Sequence, residues 1–300
     1  MSADLESVHA SSDPMNTMTA RVPLPDSLWR MRLTQLGVVV RIELGLTLFT
    51  RRSLISYGLT VIPFLFLLVL GTVVRDDGQP ITENIDNARR IFAYVFMTFI
   101  IGAVVFLGSA AIFTSLFRSD MLNRNVHYYL LTPIRREILA VGKYLAGLLA
   151  AWIIFLSTTV ISFALLYLPY GLDQLIRDLT LGVSGDQLLT YMGITVLACI
   201  GYGSVFTVTG LVFRNPLLPV MLIAGWEVIH FALPPALKIF SVVHYLKGLM
   251  PMPISEGPFA VLSVAPTATE SILGILFLTV LSLVIAIVHL RRMEVRYTDD

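Results

Sequence analysis

From position 91 to position 117 the chain runs for 27 residues without one Asp, Glu, Lys or Arg. As a helix at about 1.5 Å per residue, that run reaches further than the ~30 Å hydrocarbon core of a bilayer. A stretch of this kind belongs either in a membrane or deep inside a large protein, and composition decides between the two. Only 14% of the 300 residues are charged and 56% are apolar, with a mean hydropathy of +0.80. An ordinary soluble domain carries about 25% charged residues. This chain could not cover a water-facing surface, so it reads as an integral membrane protein.

Six runs have spanning character, at roughly 54–74, 91–117, 140–167, 188–213, 217–233 and 271–290. The first carries Pro63, and the fifth ends at Pro234 and Pro235. With the N-terminus inside, the cytoplasmic parts hold fifteen of the 21 Lys and Arg residues. The positive-inside rule therefore predicts both termini in the cytoplasm. The stretch 248–268 is apolar but carries Pro251, Pro253, Pro258 and Pro266, which argue against a seventh continuous helix. Residues 234–270 read as short re-entrant helices dipping into the outer leaflet, where irregular backbone needs cover from protein or a cavity.

Ahead of the first run, Trp29, Leu33, Leu36, Val40, Leu44 and Leu48 recur at helical spacing, with Arg30, Thr34 and Arg41 largely on the other side. This predicts an N-terminal amphipathic helix in the cytoplasmic interface, or one packed on a partner. Residues 1–27 are rich in Ser, Asp, Pro and Met and lack a signal-peptide pattern, so a disordered cytoplasmic tail is expected there. Residues 28–300 then form a single transmembrane domain. A net charge of +1 gives no reason to expect a nucleic-acid partner. The lone Cys199 allows no internal disulfide and no thiolate metal cluster.

The segment 123–143, NRNVHYYLLTPIRREILAVGK, holds four basic residues between two uncharged runs. Ser119 can cap a helix with Asp120 in its first turn. Leu122, Val126 and Tyr129 then share a face, with Arg124 and His127 elsewhere on the wheel. Thr132 and Pro133 supply a stop and a restart, as N-cap and first helical residue. The second helix keeps Arg135, Arg136 and Glu137 outside the membrane and enters it at Lys143, whose stem is long enough to snorkel. This predicts a helical hairpin continuous with spans two and three, a lever on which a partner can push.

YYLLTPIRREILAVGKYLAG resembles the signature of type-2 ABC-transporter permeases: a Leu-Leu-x-x-Pro element, an Arg, and a Gly-Lys entering the third span. Leu130, Leu131, Thr132, Pro133, Arg135, Gly142 and Lys143 match it. The likeness extends over nearly the whole chain through the interface helix, Pro63, the six spans and the broken helices before the last one. The sequence departs from the pattern just upstream. MLNRNVHYY has Arg124 but neither the family's adjacent Glu nor its Gly, and Asp120 is the acid at hand.

The resemblance implies a cytoplasmic coupling helix between spans two and three that docks on an ATP-binding subunit. The residues it assigns to that role are Asp120, Leu122, Arg124, Val126, Tyr128, Tyr129, Leu130, Pro133, Arg135 and Lys143. It also implies a second permease copy, identical or homologous, and the inner membrane of a bacterium. No G-x-x-x-x-G-K-[ST] loop occurs; VGKY at 141–144 lacks the upstream Gly and the hydroxyl. ATP and magnesium are accordingly expected in the partner subunit, with no cofactor in this chain.

Two intramembrane features stand apart. Thr195, Cys199, Gly203 and Thr207 form a small-residue stripe on the fourth run, suited to close helix packing or to lining a path. Glu227 and His230, three apart on the fifth run, are the only ionisable residues between Arg214 and Lys238. They fit either a hydrogen-bonded pair joining helices or a hydrated cavity handling substrate or a proton. The same E-x-x-H spacing is half of a carboxylate-bridged di-metal site, but the other copy, Glu6 and His9, lies in the tail. The leading expectation is an ABC exporter permease. The alternative is an ion- or proton-coupled secondary carrier using Glu227 and His230. A membrane enzyme lacks both H-E-x-x-H and a nucleophile–base constellation.

Overall fold

The structure, a computed structural model, describes residues 25–49, 53–72, 75–76, 79–80, 85–122, 136–167, 170–213, 215–252 and 266–292. It is an assembly of long apolar helices. Helix α1 spans Pro25–Phe49 and α2 spans Ser53–Thr72, with Pro63 inside it. A hairpin of two-residue strands, β1 (Arg75–Asp76) and β2 (Gln79–Pro80), precedes α3 (Ile85–Val95). A ten-residue π-helical segment, Phe96–Val105, joins α3 to α4 (Phe106–Leu122). Then come α5 (Arg136–Leu166), the short α6 (Leu172–Leu181) and α7 (Ser184–Val212). Helix α8 (Leu217–Val228) continues as a 3-10 turn, Ile229–Ala232. Two short helices, α9 (Pro235–Lys238) and α10 (Val242–Gly248), lead towards α11 (Ala268–Arg292).

Four stretches are long and apolar enough to cross a membrane: Ile85–Leu116, Glu137–Leu166, Ser184–Val212 and Ala268–Arg291. A fifth is reached if α1 and α2, bent by 59° at their junction, are taken as one span. By length and hydropathy the chain is a multi-pass membrane protein. The expected count of six is not reached on these terms. The stretch 217–233, expected as a span, is an apolar helix of twelve α and four 3-10 residues. At about 1.5 Å per residue it falls short of a ~30 Å hydrocarbon core.

Helix α7 is the centre of the bundle and packs against α4, α5 and α11. Its contact with α4 is a backbone approach: a Cβ on Gly210 would lie 2.6 Å from the Cα of Thr114. The side facing α5 is stitched by polar groups. Thr159 and Thr195 hydroxyls meet at 3.0 Å, and the Tyr144 hydroxyl donates to the Ile200 carbonyl at 3.0 Å. Phe92, Phe96, Phe163 and Tyr191 close one end of the core, Phe92 edge-on to Phe163 and Tyr191 and Phe96 tilted against Tyr191. Near them Arg89 reaches Asp178 at 3.1 Å and Ser184 at 2.8 Å, tying α3 to amphipathic α6 and to the start of α7. The sequence reading did not anticipate α6. Helix α11 starts with a reciprocal cap, Thr267 N–H to Glu270 at 2.8 Å and Glu270 N–H to Thr267 at 3.3 Å.

Helix α1 lies along α5. Its buried edge is Val39 and Glu43 with Leu36 beside them, and Gly142 of α5 admits Leu36 and Val39. The N-terminal tail read as 1–27 overlaps this helix by three residues; 1–24 lie outside the described residues.

Candidate functional site

Two carboxylates are buried among the described residues. The first is Glu43, opposite Lys143. Apolar neighbours flank Glu43 on α1, and the ammonium of Lys143 bonds directly to its Oε1. The same ammonium donates to the Leu116 carbonyl of α4 at 3.2 Å. Lys143 is 1% exposed. It does not snorkel as expected, because an acid on α1 provides an internal partner. One side chain thus joins α1 to α4 and α5, the two helices that flank the segment 123–135.

That segment carries most of the expected coupling residues. Arg124, Val126, Tyr128, Tyr129, Leu130, Pro133 and Arg135 lie outside the described residues. Asp120 and Leu122 fall in the last turn of α4. Helix α4 runs unbroken through Ser119, so the helix start expected there is not present: the apolar helix simply continues to Leu122.

The second carboxylate is Glu227, on α8. It does not bond to the His230 imidazole, as a Glu–His pair would require. Its Oε2 accepts from the Ser241 hydroxyl at 2.6 Å and the Val243 N–H at 3.2 Å, and its Oε1 accepts from the Val242 N–H at 2.9 Å. The acid therefore caps the first turn of α10, whose leading N–H groups have no partner within their own helix. Ser241 is the N-cap residue and also accepts from the His244 N–H. The imidazole turns the other way. Its Nδ1 donates to the Glu227 main-chain carbonyl at 2.7 Å, and its Nε2 faces the Lys247 ammonium at 2.7 Å. A carbonyl only accepts and an ammonium only donates, so these two contacts suit the Nδ1-protonated tautomer.

Beside this cap lies a cavity of about 300 Å³. Tyr202, Val205, Leu222, Ile223, Trp226, Phe240 and Val242 line it together with Glu227. The Tyr202 hydroxyl is buried and has no hydrogen-bond partner among the described residues.

Thr195, Cys199, Gly203 and Thr207 lie inside the bundle. Thr195 bonds to Thr159, Thr207 bonds back to the Gly203 carbonyl, and Gly203 meets the Phe113 ring. None of the four lines the cavity beside Glu227. Among the described residues no three His, Cys, Asp or Glu side chains gather as a metal site would need.

Sequence reasoning missed Glu43 and Ser241. An acid inside the apolar RIELGLTLF stretch was a visible signal for the first. The second was an ordinary loop serine with no signal of its own. Comparison with known proteins adds no assignment: no protein-family model matches the chain, and no curated protein matches it.

Proposed function

We propose that this chain is the membrane-spanning permease subunit of an ATP-driven exporter, powered by a separate ATP-binding subunit and working with a second permease copy in a bacterial inner membrane. In this reading α2 counts as a span of its own and α8 as a short one. That gives six spans with both termini cytoplasmic and α9 and α10 as the re-entrant pair.

The observation that carries the reading is the Lys143 junction. The permease-like segment leaves α4 after Leu122 and returns in α5 before Lys143, and that lysine holds both helices and α1 together. A load applied between 123 and 135 would reach three helices at once, as an ATPase-driven lever requires. The carrier reading is weaker, because three protein donors already occupy the Glu227 carboxylate.

Copurification of an ATP-hydrolysing subunit with the full chain tests the proposal. Tyr129→Asp is expected to detach that subunit and to leave membrane insertion intact; normal transport by this variant would remove the docking role. A reporter fused after Asp300 is expected in the cytoplasm and one placed at 254–258 outside. Both on the same side would refute the six-span topology.

A further inference from the structure

Helix α1 meets α5 at the edge of the bilayer. The span Glu137–Leu166 has 30 residues, about 45 Å as a helix against a ~30 Å hydrocarbon core, so its ends stand in the headgroup layers. Leu36 and Val39 of α1 pack over Gly142, and Glu43 bonds to Lys143, both within the first two turns of that span. The bend of 59° between α1 and α2 takes α1 off the axis of α2. Residues 36–43 therefore lie at the depth where hydrocarbon gives way to headgroups.

The exposed surface of α1 has two sides. Met31, Val38, Ile42 and Phe49 are exposed, at steps of seven, four and seven that bring them to one side of a helix. About a quarter turn away stand Arg30 and Arg41, which lie three turns and ~16 Å apart along a second side. Both arginines are exposed, and neither side chain has a hydrogen-bond or ion-pair partner among the described residues. The helix carries Arg30, Arg32 and Arg41 against Asp26 and Glu43, and Lys143 already pairs with Glu43. The excess charge on this surface is positive. Guanidinium groups beside an apolar stripe, at headgroup depth, complement a lipid with an anionic head. The stripe favours lipid over an acidic soluble protein, which would have to bury it.

We propose that α1 binds anionic phospholipid of the surrounding leaflet. Lipid phosphates pair with Arg30 and Arg41, and acyl chains lie along Met31, Val38, Ile42 and Phe49. The inference rests on the placement of α1 against α5 and needs neither the transport reading nor a partner subunit.

The full chain is placed in phosphatidylcholine nanodiscs with a bimane label on Thr34→Cys, in a Cys199→Ala background. Thr34 is exposed and stands one turn from Arg30. Quenching is compared for 5-doxyl phosphatidylglycerol and 5-doxyl phosphatidylcholine at equal mole fraction. Stronger quenching by the anionic lipid is expected, with a local preference of about fivefold for each arginine. The preference should shrink in ~1 M salt, where the Debye length falls to about 3 Å. Arg30→Gln/Arg41→Gln should bring the two lipids level with unfolding temperature unchanged, and Arg30→Lys/Arg41→Lys should keep the preference. The salt titration serves if the variants do not fold. Equal quenching by both lipids in the parent, a preference that survives high salt, or one that survives Arg30→Gln/Arg41→Gln would overturn the proposal. Quenching by neither lipid would also overturn it and would assign this face of α1 to a protein.

Discussion

Glu43 and Glu227 are the same chemical group buried in the same kind of surroundings, yet the protein satisfies them in opposite ways. Glu43 meets a full charge at the tip of a long, flexible lysine from another helix. Glu227 meets two main-chain N–H groups and a hydroxyl already fixed at the start of α10. The first solution joins side chains and backbone of three separate helices through one long stem. The second holds a short helix at a fixed place against α8.

The two solutions should fail differently. The largest effect is expected at the ion pair. Lys143→Ala takes the ammonium from a buried carboxylate and should cost about 3–5 kcal/mol of stability, whereas Glu43→Leu combined with Lys143→Met should restore most of it. Thermal unfolding in detergent reads both. A double variant no better than the single one would mean that the pair is not an isolated electrostatic unit.

Glu227→Leu is next. It leaves the Val242 and Val243 N–H groups and the Ser241 hydroxyl without their acceptor, at about 1–3 kcal/mol for each group that stays buried and unpaired. The loss should be local, seen as faster amide exchange at Val242 and Val243 while α7 stays protected. Glu227→Gln should be milder but not silent. Both carboxylate oxygens face donors, so the amide NH2 must oppose at least one of them, at about 1–3 kcal/mol. Amide exchange at Val242 and Val243 as slow as in the parent would show that the cap tolerates a neutral acceptor. The smallest effect is expected where two neutral groups meet. Thr195→Val removes the Thr159 contact and should cost about 0.6 kcal/mol, the average for hydroxyl bonds between membrane helices.

The sequence announced the apolar helices because hydropathy is local: any window of twenty residues carries the signal. It announced Glu227 as an anomaly for the same reason. It did not announce the partners. Ser241 lies fourteen residues from Glu227 and Glu43 lies one hundred from Lys143, and nothing in either neighbourhood encodes the meeting. His230 misled in an instructive way. A shared helical face brings two side chains near each other, but the imidazole found a closer acceptor in the main chain, which helical periodicity does not display. The run read as 217–233 is a helix over 217–232, shorter than the other apolar helices because its last turn tightens to 3-10 and Pro234 follows.

The π segment carries a consequence for how the two ends of its helix are geared. Buried pairs recur every four residues along it, at Phe96 and Met97, Ile100 and Ile101, Val104 and Val105. An ordinary α-helix, at about 3.6 residues per turn, would rotate such pairs steadily off one face. A wider turn advances each residue by a smaller angle, so residue count and azimuth part company over ten positions. The direction in which Leu122 leaves α4 is therefore set by the winding of residues 96–105 as much as by the number of residues before it. Converting that segment to ordinary helix would swing the outgoing chain around the helix axis while leaving every residue of α4 in the same order.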